Sequence, residues 1–218
     1  MVEHVAQRWP KDEELAEILM DVKYGMPYYF EIARGLFQEM VDPEPYRKES
    51  PSAGDIIQCN MCFSEWVLFD FDLGDGLTPI RRAAMSDPTL SEFADTQFYS
   101  LFWVLEQDWK RSVSLLRDRL THEDFLVHDK ALARNARWAK GQLGSRLACV
   151  EGEWRFAGQV HMHDNAPSCP EPHEGWSEGK GIQDPMAFLD HVRLVLGHDG
   201  IGAYELVEQK LYDRDEPL

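Results

Sequence analysis

The first 97 residues have the hydrophobic spacing of amphipathic helices. From Lys11, the segment DEELAEILMDV repeats apolar residues every third or fourth position, and its first turn is acidic, as the helix dipole favours. After Gly25 and Pro27 a second helix is predicted, ending before Pro43, with an apolar stripe of Tyr29, Ile32, Ala33, Leu36, Phe37 and Met40. The short turn between the two helices favours an antiparallel hairpin.

Further helices are predicted as far as Gln97. The segment IIQCNMCFSEWVLFDF is apolar nearly all round, which is typical of a helix in the middle of a bundle. A glycine-containing turn at 73–76 follows it, and Thr78 and Pro79 then have the pattern of a helix cap and a first helical position. Residues 91–97 have the pattern of another short helix.

At Phe98 the hydrophobic spacing changes. The segment FYSLFWVLEQ is a continuous apolar run rich in residues that favour strands, so we predict a buried strand. Two short alternating runs follow, around Val113 and around Phe125. Residues 130–140 return to the pattern of a short basic helix, which ends at Gly141.

The clearest strand pair flanks the turn at Glu151 and Gly152. Alternation in its second strand predicts a buried and a polar face: Trp154, Phe156, Val160 and Met162 on the first, and Arg155, Gln159, His161 and His163 on the second. With the preceding runs, this hairpin predicts a small, curved antiparallel sheet or partly open barrel.

The predicted fold class is therefore α+β, with a helical N-terminal bundle packed on this sheet and with C-terminal helices. The predicted domains are a helical domain over 1–97 and a small β domain over 98–163. Residues 164–218 are predicted to pack on both. They comprise a loop rich in Gly and Pro over 164–184 and helices near 185–196 and 203–212.

The net charge of the predicted β segment also differs from that of the helical segments on either side. The chain of 218 residues has a net charge of −17, whereas residues 98–162 hold ten basic and eight acidic residues. The acidic balance argues against general binding to nucleic acid or to anionic membranes, which needs a cationic surface. Seven Trp, eleven Phe and seven Tyr residues indicate a globular protein with a substantial core rather than a disordered acidic chain.

The sequence predicts a cytoplasmic protein. Residues 1–10 have no apolar core of the kind that a secretory signal requires, and no apolar run approaches the length that spans a bilayer. Four cysteines are few for this length, and we expect them to be reduced.

The string Phe63-Ser-Glu-Trp66-Val-Leu-Phe69-Asp70, followed by Gly76-Leu-Thr78-Pro79, resembles a segment of uncharacterised bacterial proteins related to those that carry a SEC-C zinc motif. The segment LLRDRLTHEDFLVHD and the strand that begins at Arg146 are similar to their β-rich part. The resemblance covers about residues 55–160 and implies a helical part packed on a small β domain, with no established activity. The SEC-C motif itself is absent, so its metal binding does not transfer to this chain.

The best candidate for a metal site is the pair His161 and His163, with Cys169 and His173 downstream. Residues two apart on a strand point the same way, so both imidazoles could reach one ion, and the loop could supply a thiolate or a third imidazole. Nitrogen and sulfur ligands favour zinc or nickel. The alternative is that both histidines are solvated residues on the polar face.

Two other clusters have simple structural interpretations. Cys59 and Cys62 have the spacing of half a zinc site or a redox dithiol, but they lie in an apolar helix, which favours buried structural thiols. An acidic cluster near the same helix consists of Glu65, Asp70, Asp72 and Asp75, and it could hold calcium or magnesium. Its spacing does not match that of an EF-hand loop, so we interpret it as a solvated helix end.

The β segment also carries a basic set of Arg111, Arg117, Arg119, Lys130, Arg134, Arg137, Lys140, Arg146 and Arg155. Such a set can bind single-stranded nucleic acid. Docking onto the acidic flanks of the same chain is the interpretation we favour, because the net charge would repel a polyanion.

No phosphate-binding loop or nucleophile motif is present, so catalysis is not favoured. The sequence therefore favours a non-catalytic protein-binding or regulatory module with a protein partner and no cofactor, and it leaves the oligomeric state open. The alternative is a metal-binding protein or a metal-dependent hydrolase that uses the histidine strand. A third hypothesis is an acidic mimic of nucleic acid.

Overall fold

The protein combines helices with a five-stranded sheet in a computed structural model that describes residues 5–163 and 179–198. The described residues divide into two compact units. The helical unit comprises residues 15–79 and 185–198, and the barrel unit comprises residues 5–14, 80–163 and 179–184. Within the described residues, no helix is long and apolar enough to cross a membrane.

The helical unit consists mainly of α1 (Asp12–Gly25, whose first turn belongs to the barrel unit), α2 (Pro27–Val41), α3 (Glu44–Arg47), α4 (Ala53–Phe69) and α8 (Ala187–Leu196). Helices α2, α4 and α8 contact one another. Ser52 caps α4, because its hydroxyl oxygen accepts a hydrogen bond from the backbone N–H of Asp55 at 3.1 Å. Phe63 on α4 packs edge-on against Phe30 and Phe37 of α2, with ring centroids 5.3 and 5.5 Å apart.

The helices predicted within the described part of this unit are present, and the helix predicted near 203–212 lies outside the described residues. The buried face of α2 differs from the predicted stripe. Its buried residues are Phe30, Ala33, Phe37 and Val41. Tyr29, Ile32 and Leu36, which belong to the predicted apolar stripe, are 37–39% exposed. The neighbouring helices of the unit cover only part of the apolar surface of α2, so one side of the predicted stripe remains accessible.

The barrel unit contains α5 (Pro79–Ser86, whose first residue belongs to the helical unit), α6 (Ser91–Thr96), α7 (Lys130–Arg134) and the strands β1 (Phe98–Asp108), β2 (Val113–Asp118), β3 (Asp124–His128), β4 (Gln142–Val150) and β5 (Glu153–His163). The strands form a closed barrel in the order β1-β2-β3-β5-β4. All strand contacts are antiparallel except β3 with β5, which is parallel and pairs Val127 with Trp154. This order gives the chain a Greek-key path.

Aromatic side chains fill the barrel. Phe125 lies 5.0 Å from Trp154, 5.3 Å from Phe98 and 6.0 Å from Phe102 between ring centroids. These rings form one buried cluster with aliphatic residues from β1, β2, β3, β4 and α7. The predicted sheet is therefore present, with the strand boundary at Phe98 as predicted. It is a closed barrel with one parallel contact, however, and not the curved antiparallel sheet or partly open barrel that we predicted.

Two predictions for the faces of β5 are wrong. Val160, predicted to be buried, is 39% exposed, and His163, predicted to be on a polar face, is 7% exposed. The pairing of β4 with β5 shifts between Ser145 and Leu147, so strict alternation does not hold along β5. Trp154, Phe156 and Met162 follow the prediction and pack in or against the core.

Candidate functional site

His161 and His163, the two predicted metal ligands within the described residues, lie at the end of β5. His161 pairs with Gly144 of β4, and His163 pairs with Gln142. The two histidines occupy alternate positions of one strand, as predicted, and each is largely buried. Cys169 and His173, the other two predicted ligands, lie outside the described residues.

The neighbours of the two histidines form a buried polar group that we call the wall cluster: Trp103, Arg119, Gln142, His161 and His163. Trp103 of β1 is directly opposite Gln142 of β4. The Arg119 guanidinium donates a hydrogen bond from Nη1 to Oε1 of Gln142 at 3.1 Å and lies 5.2 Å from the Trp103 ring centroid. Sequence reasoning placed Arg119 in the basic set but did not connect it with the histidines, because only the strand order brings them together.

Burial determines the protonation of the histidines. The pKa of His161 is lowered to about 4, mainly by burial and secondly by the neighbouring His163. The pKa of His163 is also lowered, by burial first and by the positive charge of Arg119 second. Both imidazoles are therefore neutral at pH 7, which is the form that binds metals.

The wall cluster nevertheless has few features of a cation site. Arg119 contributes a permanent positive charge, and the buried nitrogens Nε1 of Trp103 and Nε2 of Gln142 are donors with no hydrogen-bond partner in the described part of the chain. No group of three or more His, Cys, Asp or Glu side chains with metal-binding geometry occurs within residues 5–163 and 179–198. The four-ligand site remains a prediction, because two of its ligands lie outside those ranges.

The lowered pKa of His161 predicts a pH-dependent stability. Below pH 6.5 the unfolded chain binds a proton that the folded chain does not accept until about pH 4, so the free energy of unfolding should fall as the pH drops through this window. The shift corresponds to at most about 3 kcal/mol. Urea denaturation between pH 7 and pH 4 should show a flatter profile for His161→Gln than for the unsubstituted protein.

His128→Gln is the matched control, because His128 is an exposed histidine of the same barrel with a 3.7 Å contact to Glu153. Its profile should keep the slope of the unsubstituted protein. Equal slopes for His161→Gln and the unsubstituted protein would show that His161 does not titrate as its burial requires.

Several charged members of the basic set are structural. Arg117 of β2 forms a buried bidentate ion pair with Asp124 of β3, at 2.7 and 2.8 Å. Arg146 is 1% exposed and lies 5.8 Å from the ring centroid of Tyr99. These guanidinium groups are held within the barrel unit and do not form an open cationic surface.

The cysteine and acidic clusters also have structural roles. Cys59 and Cys62 are fully buried in α4, and burial raises the pKa of Cys59 to about 11, so its thiol is a poor nucleophile at neutral pH. Asp72 accepts hydrogen bonds from the backbone N–H groups of Gly74 and Gly76 at 2.7 and 2.9 Å, which fixes the turn after α4.

An apolar groove in the helical unit is the site that sequence reasoning missed. We call it the α2 groove: it has a volume of about 400 Å³ and is lined by the exposed part of the α2 stripe, by Trp66 and Phe71, and by Met186 and Leu189 at α8. The carboxylates of Asp70 and Asp72 lie at its edge. The wide apolar surface of α2 could have indicated this groove from the sequence, because a single neighbouring helix covers only a narrow stripe and leaves the rest exposed.

The exposed part of the stripe has helical spacing. Tyr29, Ile32 and Leu36 follow one another at intervals of three and four residues on one side of α2, and each is 37–39% exposed. Scattered apolar residues are common on protein surfaces, but a continuous patch beside a concave surface is typical of interaction sites.

No protein-family model, curated protein or solved structure matches this chain. Functional inference therefore depends on the geometry of the chain itself.

Proposed function

We propose that this chain is a non-catalytic protein-binding module whose helical part forms a bundle that presents the α2 groove to a partner protein. The observation that carries the proposal is the exposed row of Tyr29, Ile32 and Leu36, which line a concave apolar surface. Helix-in-groove recognition uses such a surface to bind the apolar face of an amphipathic helix.

The negative charge around the α2 groove indicates which residues should flank the apolar face of the partner helix. Residues 15–79 contain twelve acidic and four basic residues, and the groove is lined by Asp70 and Asp72 but by no Lys or Arg. An apolar helix with basic flanks complements this surface, whereas an acidic helix is repelled. The proposed partner segment is therefore an amphipathic helix with leucine-like anchors and lysine or arginine on its rim.

A direct binding measurement tests this function. A fluorescein-labelled amphipathic peptide of leucine and lysine is titrated with the full chain, and binding is followed by fluorescence anisotropy. Ile32→Asp and Leu36→Asp should each weaken binding at least about tenfold, because each substitution puts a charge where an apolar anchor packs.

Ile57→Asp is the control, because Ile57 is a 58% exposed isoleucine of α4 that does not line the groove. It adds the same charge and should leave the affinity unchanged. A matched peptide of leucine and glutamate should bind much more weakly. Equal affinity of both peptides, or equal loss in all three variants, would contradict the proposal.

A further inference from the structure

A second concave surface of the helical unit lies on the other side of α2. We call it the basic cleft: it has a volume of about 460 Å³ and is formed by α1, α2, α4 and Tyr46 of α3. Lys23 and Arg34 line it, together with the rings of Phe30 and Phe63 and the side chain of Asn60. Its size is within the range of small-molecule sites, about 300–1,000 Å³.

The charge of this cleft is opposite to that of the segment that forms it. Residues 15–79 contain twelve acidic and four basic residues. Two of the four basic residues line the cleft, and no carboxylate does. The other two, Arg47 and Lys48, lie elsewhere and form ion pairs with Asp42 and Asp55.

The two cations of the cleft are weakly neutralised. Lys23 forms no ion pair within residues 5–163 and 179–198, and its ammonium lies 5.3 Å from the ring centroid of Tyr24. Arg34 forms an ion pair with Glu31 at 3.6 Å, and both side chains are about half exposed or more. Surface ion pairs of this length contribute little free energy, so both cations are available to a ligand.

Aromatic rings position the guanidinium of Arg34. Its central carbon lies 5.4 Å from the ring centroid of Phe30 and 5.9 Å from that of Phe63. Arginine stacked on rings keeps its planar donors free at the edge, where they can bind a carboxylate or phosphate in a bidentate manner. The rings also form an apolar wall next to the charge.

The cleft also has neutral polar groups, from Tyr46 and Asn60. The Tyr46 hydroxyl donates a hydrogen bond to Oδ1 of Asn60 at 3.3 Å. Burial raises the pKa of Tyr46, so the hydroxyl stays neutral and adds no negative charge to the cleft. The cleft thus combines two cations, neutral hydrogen-bonding groups and aromatic surface.

We propose that the basic cleft binds a small organic anion, in which a carboxylate or phosphate pairs with Arg34 and Lys23 and an apolar body packs against Phe30 and Phe63. A neutral ligand would not use the two cations, and an inorganic anion would leave the aromatic wall exposed. The ligand class is therefore an amphiphilic anion, and binding is independent of the α2 groove.

Isothermal titration calorimetry of the full chain tests this proposal with four probes. These are 1-naphthoate, 1-naphthyl phosphate, neutral 1-naphthol and inorganic phosphate. At least one of the naphthyl anions should bind about tenfold or more tightly than naphthol and than inorganic phosphate, and the tighter of the two identifies the preferred anionic group.

A pair of double variants locates the site. Lys23→Gln with Arg34→Gln should weaken binding of the naphthyl anion at least about tenfold, whereas Arg47→Gln with Lys48→Gln removes the same charge outside the cleft and should change it little. Circular dichroism of both variants should match that of the unsubstituted protein, because all four side chains are on the surface.

Equal affinity for naphthol and the naphthyl anions, absence of binding by all four probes, or equal losses in both double variants would overturn the proposal. Ile32→Asp should bind the naphthyl anion with unchanged affinity, because Ile32 lines the α2 groove and not the cleft. A failure of groove binding is therefore distinguishable from a failure of the cleft.

Discussion

Replacing Asp124 with asparagine is expected to destabilise the barrel unit by about 3–5 kcal/mol, the cost of removing one partner from a buried ion pair. Its two carboxylate oxygens accept hydrogen bonds from Nε and Nη2 of Arg117, and the two side chains are only 4% and 6% exposed. Asparagine keeps the shape but removes the negative charge that faces the buried guanidinium in this pair. Urea denaturation followed by tryptophan fluorescence should show the loss.

Glu153→Gln is the matched control, because Glu153 forms an exposed ion pair with Arg155 on the same barrel. This change should cost no more than about 1 kcal/mol. Replacing Arg117 with methionine and Asp124 with leucine together should cost less than Asp124→Asn alone, because no charge then remains buried. Similar losses for Asp124→Asn and Glu153→Gln would show that burial of the pair does not matter.

Replacing Phe125 with alanine is expected to destabilise the barrel by about 3–5 kcal/mol, through lost burial and the cavity that remains. Phe125 is fully buried and its ring is in contact with three other aromatic rings. Its strand also makes the parallel contact that closes the barrel, next to the pair of Val127 and Trp154. We therefore expect the near-ultraviolet circular dichroism of the buried aromatic residues to weaken as well.

Leu126→Ala provides the comparison at the adjacent position. Leu126 is half-buried and its side chain points to the other side of β3. The substitution removes fewer contacts and should cost clearly less than Phe125→Ala in the same denaturation experiment. If both substitutions cost the same, the alternation that places Phe125 inside the barrel would be wrong.

Much of the secondary structure was predictable because hydrophobic period is a local property. The change of spacing at Phe98 coincides with the first residue of β1, and the turn at Glu151 and Gly152 joins β4 to β5. Both turn residues have positive φ, at 52° and 77°, which suits a tight hairpin. These features depend on residues close in sequence, so the sequence contains the information needed to predict them.

Burial was predicted less well, because it depends on which element covers each face. The stripe of α2 divides between a core face and an exposed groove, although all its members are apolar. Strand alternation predicted that His163 lies on the polar face of β5, and yet its side chain is buried. A pattern of apolar residues shows which surfaces can be buried, and only the neighbours decide which of them are.

The candidate sites show the same division. Alternation in β5 predicted that His161 and His163 share a face, but their neighbour Arg119 comes from the end of β2 and could not be connected with them by spacing. Likewise, the basic cleft joins Lys23, Arg34 and Asn60 from three helices. Such combinations need the tertiary structure.

Local patterns of residues were enough to predict where helices end and strands begin, which turn joins the last two strands, and that acidic helical segments flank a nearly neutral β segment. Three features needed the folded chain: the strands close through the parallel contact of β3 with β5, one side of α2 stays open, and Lys23 and Arg34 line the same cleft. Backbone propensity and hydrophobic period depend on residues that are neighbours in sequence. The burial of a face and the charges around a side chain depend instead on contacts between residues that are distant in sequence.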